Sequence, residues 1–333
     1  MHIFTNPNYN FLRWRWHAVA LSWIVILAGL GMIYAKGLQK GIEFAGGTSV
    51  IMQFDQTPSV DAVRTALNRN FPGGGENAIV QTYGDPSLRQ VMVRVPQVGA
   101  EQGASLSAVA QGVEAALRKG NLGNFKVVGT EIVGPAVGAE LTQKGLSAFV
   151  LSLIGILAYI AFRFEFSFAV GAVIATIHDV LVTFAFLEFF HYDITLNVIA
   201  AILTVTGYST NDTIVIFDRV RENMRKMRRE SLMEVINISI NQTLGRTVIT
   251  AGTALLSAVA LFLFGGEVLH GFAFTMIIGI ITGTYSSVFV AAAIVTFWRR
   301  TKPSKLSTAT APPVGASAAP ARKSKSQRKA RAS

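Results

Sequence analysis

Long apolar runs alternate with polar segments along this chain. The first run covers residues 18–35, and five more follow Lys144, at residues 146–162, 166–187, 194–217, 244–266 and 271–298. About 20 helical residues cross a hydrocarbon layer of about 30 Å. The pattern therefore predicts a polytopic α-helical membrane protein with six transmembrane helices, the first within residues 1–36 and the other five within residues 141–300.

The segment between the first two runs, residues 37–140, carries charges of both signs. Alternating apolar positions predict strands, and helical spacing predicts helices. The predicted order is strand 48–54, helix 59–70, strands 78–83 and 88–95, helix 101–119 and strand 125–133. This β-α-β-β-α-β order is that of a ferredoxin-like α+β domain. It does not indicate a function, because unrelated functions share the fold.

Basic residues mark one set of helix ends. They are Arg13, Arg15, Arg163, the six basic residues within 219–229, Arg299 and Arg300. Because cytoplasmic loops are enriched in Lys and Arg, we expect both termini in the cytoplasm and the 37–140 domain outside it. A cleaved signal peptide is the alternative interpretation of the first run, but no small-x-small cleavage site stands out there.

Two further segments are defined by their charge. Residues 219–241 hold the basic cluster and an amphipathic stretch, 224–241, which we expect to lie along the cytoplasmic surface before the fifth crossing. Residues 301–333 are basic, rich in Ala, Pro and Ser, and cannot bury a core, so they are predicted to be disordered. Such a tail attracts anionic lipid or ribosomal RNA.

Composition and missing motifs narrow the chemistry. The chain is 51% hydrophobic, has a net charge of +11 and contains no cysteine, so thiolate metal sites and cysteine nucleophiles are excluded. It has no GxxxxGK[ST] phosphate loop, no HExxH motif and no Cys/His metal spacing. We therefore predict that the protein is not an enzyme and needs no cofactor or metal. Energy for transport would come from an ion gradient or from a partner.

Asp179 is the first candidate for chemistry, because a charge near the membrane centre costs about 2.5–3.5 kcal/mol. It lies 13 residues into the run that begins at Phe166, or about 20 Å at about 1.5 Å per residue. His178 precedes it but points about 100° away on a helix, so the two need not share a partner. Asp179 either takes part in proton transfer or ties two helices together.

Asp212 is the second candidate. It lies in the polar half of the run 194–217, beside Ser209 and Asn211 and seven residues before Arg219. The seven residues to Arg219 place it about 10 Å inside the membrane boundary, and the uninterrupted run 213–217 favours that position. The alternative is a helix end that slips outward until Asp212 meets the lipid headgroups.

Arg246 is the third candidate, at the start of the fifth run. Because Arg stays charged at any accessible pH, it would need a carboxylate inside the bundle, and Asp212 and Asp179 are the candidates. A snorkelling arginine at the interface is the alternative. Gly279 and Gly283 form a GxxxG pattern in the sixth run, and these glycines and Gly207 are expected to allow close helix packing.

Three motifs resemble the SecD/SecF family of bacterial export accessory proteins, and within it the smaller SecF half. They are residues 41–48 (GIEFAGGT), His178-Asp179, and residues 207–213 (GYSTNDT), which run into 217–223 (FDRVREN). The resemblance covers roughly residues 10–300. Glu43 departs from the Asp usual in the first motif, but it keeps the charge.

The resemblance implies membership of the RND superfamily and a place in the bacterial cytoplasmic (inner) membrane. It also implies partnership with SecD, the SecYEG channel and unfolded preprotein, with YajC as a further candidate partner. The implied activity is the use of the proton motive force to complete protein translocation. Asp212, Arg246 and Asp179 are the residues that it implicates in the proton pathway.

Two other functions are compatible with the pattern. One is half of an RND-type exporter of small molecules or lipids, and the other is a scaffold for the channel. A full-length exporter of that superfamily has twice as many crossings, which favours a chain that works with SecD. A scaffold would not need Asp212 and Arg246 to ionise.

Overall fold

A computed structural model describes residues 7–71, 78–84, 86–96, 103–164 and 166–301 of the chain. It combines a small antiparallel sheet with a bundle of long helices. Apart from Thr301, which ends the last helix, the basic tail lies outside the described residues. Asp85, between the predicted strands 78–83 and 88–95, also lies outside them.

An α+β domain forms between the first two long helices. Because it is predicted to lie outside the membrane, it is called the soluble domain here. Its elements are α2 (Ile42–Ala45), β1 (Gly47–Phe54), α3 (Val60–Asn70), β2 (Ile79–Tyr83), β3 (Gln90–Pro96), α4 (Gly103–Lys119) and β4 (Phe125–Val133). The sheet order is β2-β3-β1-β4, and all neighbouring strands are antiparallel. From β1 onward, the order along the chain matches the predicted β-α-β-β-α-β pattern. The Ser59 hydroxyl accepts a hydrogen bond from the Ala62 N–H and caps α3.

The sheet has one apolar face and one more polar face. Val50 and Met52 of β1 are buried with Val63 and Leu67 of α3 and with Leu117 of α4, in the core of the domain. Because side chains alternate along a strand, the neighbouring residues of β1 and β3 point to the opposite face. That face lines a cleft of about 450 Å³, and residues from the segment 190–195, between two long helices of the bundle, line its opposite side.

The membrane part consists of long helices. They are α1 (Arg15–Lys36), α5 (Pro135–Arg163), α6 (Phe166–Phe189), α7 (Leu196–Lys226), α8 (Leu232–Phe264), α9 (Glu267–Ser286) and α10 (Ala292–Thr301), with a π-helical turn, Ser287–Ala291, between the last two. Within the described ranges, five stretches are long and apolar enough to cross a membrane: Arg15–Lys36, Pro135–Arg163, Phe166–Phe189, Leu232–Phe264 and Val268–Phe297. The chain is therefore a multi-pass membrane protein.

The helix α7 is not among those five stretches, although it has 31 residues. Polar residues in the middle of α7, including Ser209, Asn211 and Asp212, lower its hydropathy. Its role as the fourth of six crossings stays a prediction.

The bundle has a buried centre and an exposed periphery. The most apolar part of α6 is 61% buried and that of Val268–Phe297, which runs from α9 into α10, is 56% buried, compared with 6% to 17% for α1, α5 and α8. A Cβ added to Gly279 would lie 2.4 Å from a Val205 methyl of α7, and one added to Gly283 would lie 2.8 Å from the Ser209 Cβ. The predicted close packing at this GxxxG pattern is therefore confirmed. For Gly207 it is wrong, because an added Cβ there meets no described atom within 4 Å.

The expected surface segment, residues 224–241, is not one separate helix. Helix α7 continues to Lys226, and α8 begins at Leu232, capped by the Ser231 hydroxyl, and runs on into the apolar stretch. The polar face at the start of α8 holds the N-terminal segment: Asn241 Oδ1 accepts from the Tyr9 N–H at 2.9 Å, and Asn237 Oδ1 accepts from the Phe11 N–H at 3.0 Å. Polar side chains that predicted a water-facing surface thus bind backbone instead.

Candidate functional site

Asp179 lies at the centre of the bundle, where three helices meet. Its side chain is 2% exposed. Its Oδ2 accepts hydrogen bonds from the hydroxyls of Ser209 on α7, at 2.5 Å, and Ser286 on α9, at 2.7 Å. Its Oδ1 is 3.1 Å from Nδ1 of His178. His178 therefore does contact Asp179, because the backbone fixes the direction of Cβ but not the final position of the ring.

Asp212 is also buried, with 9% of the residue exposed. Its Oδ1 accepts from the Thr247 hydroxyl of α8, and its Oδ2 accepts from the Ser287 hydroxyl of the π-helical turn, each at 2.7 Å. In this arrangement Asp212 therefore faces the interior of the bundle. A hydroxyl both donates and accepts, so the same partners can satisfy the charged carboxylate and the protonated carboxyl.

Two consecutive serines connect the carboxylates. Ser286 ends α9 and binds Asp179, and Ser287 begins the π-helical turn and binds Asp212. Successive residues of a helix point about 100° apart, so one backbone segment can reach a carboxylate on each side. Single π-helical turns inside α-helices are frequent at functional sites. A change in the geometry of this turn would alter the hydrogen bonds to both carboxylates.

Arg246 does not join them in this structure. It is exposed, and it makes no ion pair within the part of the chain that the structure describes. The expected pairing with Asp212 or Asp179 is therefore absent. The reason is the rotation of α8: Thr247 takes the face toward Asp212, and its neighbour points about 100° away.

Ser286, Ser287 and Thr247 were not predicted as site residues from the sequence. The available signal was a set of hydroxyl residues within long apolar runs. It is a weak signal, because a serine or threonine in a helix usually bonds its own backbone one turn back. Thr284 does so, donating to the Ile280 carbonyl at 2.8 Å.

Known proteins are similar to this chain over most of its length. The Protein translocase subunit SecF of Escherichia coli O157:H7 is 40% identical over 286 residues, which is 86% of each chain. That of Pseudomonas aeruginosa is 42% identical over 285 residues, or 86% of this chain and 90% of the relative. Residues 113–301 match the family of protein export membrane proteins SecD/SecF, C-terminal part. The chain belongs to the SecF family.

The family's GG motif matches residues 31–58. In the structure, Gly46 and Gly47 join α2 to β1 with φ of +70° and +125°, which favours glycine at both positions. The C-terminal family match contains both carboxylates and the serine pair.

A solved structure of SecDF, a translocon-associated membrane protein from Thermus thermophilus, superimposes with a TM-score of 0.77 at 34% identity. The match covers 89% of this chain and 39% of that longer chain. The present chain thus spans well under half of the SecDF protein.

Proposed function

We propose that this SecF-family chain works with SecD in the bacterial cytoplasmic membrane, where it uses the proton motive force to complete the translocation of unfolded preproteins. The observation that carries the proposal is the pair of buried carboxylates, Asp179 and Asp212, linked through consecutive serines inside a helix bundle. Two buried carboxylates are costly in a membrane, and such residues mark ion or proton pathways. The family membership supports export over the alternative of a small-molecule or lipid exporter.

The mechanism requires a carboxylate that binds and releases a proton. A proton that crosses 100 mV carries about 2.3 kcal/mol. Among the described residues, the hydrogen-bond partners of the Asp212 side chain are the hydroxyls of Thr247 and Ser287, which can satisfy its protonated form. A rotation of α8 by about one residue would replace Thr247 with Arg246 beside Asp212 and favour the ionised form. Asp212, Arg246 and Asp179 are therefore proposed as the proton pathway.

The proposed membrane arrangement has six crossings, with α7 as the fourth and both termini in the cytoplasm. The β-α-β-β-α-β unit is then a ferredoxin-like domain outside the cytoplasm. The proposed partners are SecD, the SecYEG channel and YajC. The basic tail, residues 301–333, is proposed to bind anionic lipid or the ribosome.

The first prediction concerns Asp212→Asn, which mimics the protonated form in nearly the same volume. It should leave membrane insertion and SecD association intact and abolish the gradient-dependent part of export. The measurement is precursor completion in inverted vesicles with and without an uncoupler. In the same assay, Arg246→Lys should keep part of the activity and Arg246→Met should lose it. Wild-type uncoupler sensitivity in Asp212→Asn would leave the carboxylate with only a packing role.

A further inference from the structure

The connection between α6 and α7, residues 190–195, is bound to the soluble domain through its backbone. The Ile194 N–H donates to the Gln39 carbonyl at 2.9 Å, and the Gly41 N–H donates to the Ile194 carbonyl at 2.7 Å. A Cβ on Gly41 would lie 2.8 Å from that same carbonyl oxygen. The chain that enters the soluble domain therefore runs in direct contact with this connection.

A buried ion pair reinforces the contact. Arg94 of β3 reaches from the polar face of the sheet to Asp193, with Nη2 to Oδ2 at 2.6 Å and Nη1 to Oδ1 at 3.3 Å. The two side chains are 6% and 16% exposed. Arg94 Nη1 also donates to the Lys40 carbonyl at 3.1 Å, and Gln81 Nε2 donates to Asp193 Oδ2 at 3.3 Å. The pair therefore joins two strands of the sheet to the α6–α7 connection.

Stability alone is a weak reason for such a pair. Removing two charges from water is costly, and apolar residues of similar volume often hold two surfaces together equally well. A bidentate Arg–carboxylate pair differs from an apolar contact because it fixes direction as well as distance. The pair is therefore suited to holding the sheet in one orientation relative to α6 and α7.

The α6–α7 connection links the ion pair to the helices that carry the two carboxylates. It joins the helix that carries Asp179 to the helix that carries Asp212, and it is the end that both helices share. Tyr192 in the same connection stacks on Phe274 of α9, with ring centroids 4.4 Å apart, and α9 ends at Ser286. One short segment thus touches all three elements that surround Asp179.

We propose that Arg94 and Asp193 are positioning residues that couple the orientation of the soluble domain to the state of the Asp179–Asp212 site. The inference rests on the proposed function, because it assumes that this site changes state during export. A shift between α6 and α7 moves their shared connection, and the ion pair passes that movement to β3. Without the pair, the backbone hydrogen bonds between Ile194 and residues 39–41 remain, but the sheet is no longer held in one orientation relative to the helices.

The main test is Asp193→Asn in the full chain, in inverted vesicles, with uncoupler-sensitive precursor completion as the readout. We expect a loss of roughly fivefold or more, the lower end of ordinary coupling between sites. Arg94→Lys should lose less, because it keeps the positive charge beside Asp193, but it should still lose some activity, because a point charge cannot form both hydrogen bonds. The matched control is Glu114→Gln, which breaks an exposed ion pair with Arg118 in the same domain and should change nothing.

A second readout separates coupling from a purely structural role. The chain has no cysteine, so spin labels at introduced cysteines in Thr65, on α3, and Leu263, at the end of α8, are unique. Both positions are exposed. Asp212→Asn should shift the distance distribution between the labels, and adding Asp193→Asn should abolish that shift. An Asp212→Asn shift that persists in the double variant would overturn the proposal.

The export assay also distinguishes the two hypotheses. If Asp212→Asn loses uncoupler-sensitive export while Asp193→Asn keeps it at the wild-type level, the coupling role is wrong and the proposed function stands. If Asp212→Asn keeps wild-type export, the proposed function fails and the coupling proposal fails with it. Membrane levels of each variant are measured in parallel, and Arg94→Lys provides the second substitution if Asp193→Asn does not accumulate.

Discussion

Gly279 and Gly283 determine how closely α9 approaches α7. Both face α7 at positions where even a methyl group would lie within 3 Å of a side-chain atom. This approach brings the end of α9 to the polar middle of α7, where Ser286 and Ser209 bind the same carboxylate oxygen. Two small residues thus set the distance on which the Asp179 site depends.

We expect Gly279→Ala to destabilise the bundle, because its Cβ would overlap the side chain of Val205. Overpacking of this kind costs about 1–3 kcal/mol. The matched control is Gly155→Ala in α5, where the added Cβ meets no described atom within 4 Å; there the higher helix propensity of Ala should be neutral or slightly stabilising. Thermal unfolding of the purified protein in detergent measures both. Equal midpoints for the two variants would contradict the role of the packing.

The π-helical turn, Ser287–Ala291, lies where α9 passes into α10. Ser286, the last residue of α9, binds Asp179, and Ser287, the first residue of the turn, binds Asp212. A π-helical turn is a local departure from α-helical geometry. The sequence offered no local sign of it, because neither glycine nor proline occurs within it.

Ser287→Ala tests this element. It removes one of the two hydroxyl donors to Asp212, and a hydrogen bond to a charged group is worth about 1.5–3 kcal/mol, or roughly tenfold or more. We expect uncoupler-sensitive export to fall by about that factor. Thr284→Ala is the control, since its hydroxyl donates to the carbonyl of Ile280 in its own helix. A similar loss in both variants would show that a hydroxyl on α9 matters for helix packing and not for Asp212.

Across the whole molecule, the polar contacts used in the two proposals lie in two separate places. The carboxylates lie in the bundle, and the Arg94–Asp193 pair lies where the soluble domain meets the helices. The domain is therefore held to the helices by this ion pair as well as by the chain segments that enter and leave it, where Gly46 and Gly134 lie. The Sec export proposal requires the soluble domain and the loops between the helices to lie on defined sides of the membrane.

The sides are tested with reporter fusions. A periplasm-active reporter fused after Gly103 should be active, and the same reporter fused after Lys226 should be inactive, because the intervening helices return the chain to the cytoplasm. A cytoplasm-active reporter should give the reverse pattern. The opposite result at both positions would invalidate the assignment of sides and the functional proposal with it.

The local pattern of apolar and polar residues was sufficient to predict much of the secondary structure of this protein. Residue spacing predicted the four strands and the two longer helices between residues 48 and 133 and the long apolar helices, because each depends on neighbours within a few positions. A buried position was also predicted for Asp179 and was favoured for Asp212, because apolar residues lie on both sides of each carboxylate in the sequence. The three family motifs were also present in the sequence itself.

The partners of those carboxylates were decided only by the tertiary structure. Ser286 is 107 residues from Asp179, and Ser287 is 75 residues from Asp212, so no local spacing connects them. The face that a helix turns toward its neighbour depends on its rotation, and one residue of rotation separates Thr247 from Arg246. The rotation is fixed by packing between helices, as at Gly279 and Val205. The same reason explains why the polar face at the start of α8 binds the N-terminal backbone and why Arg94 meets Asp193 across two separate parts of the fold.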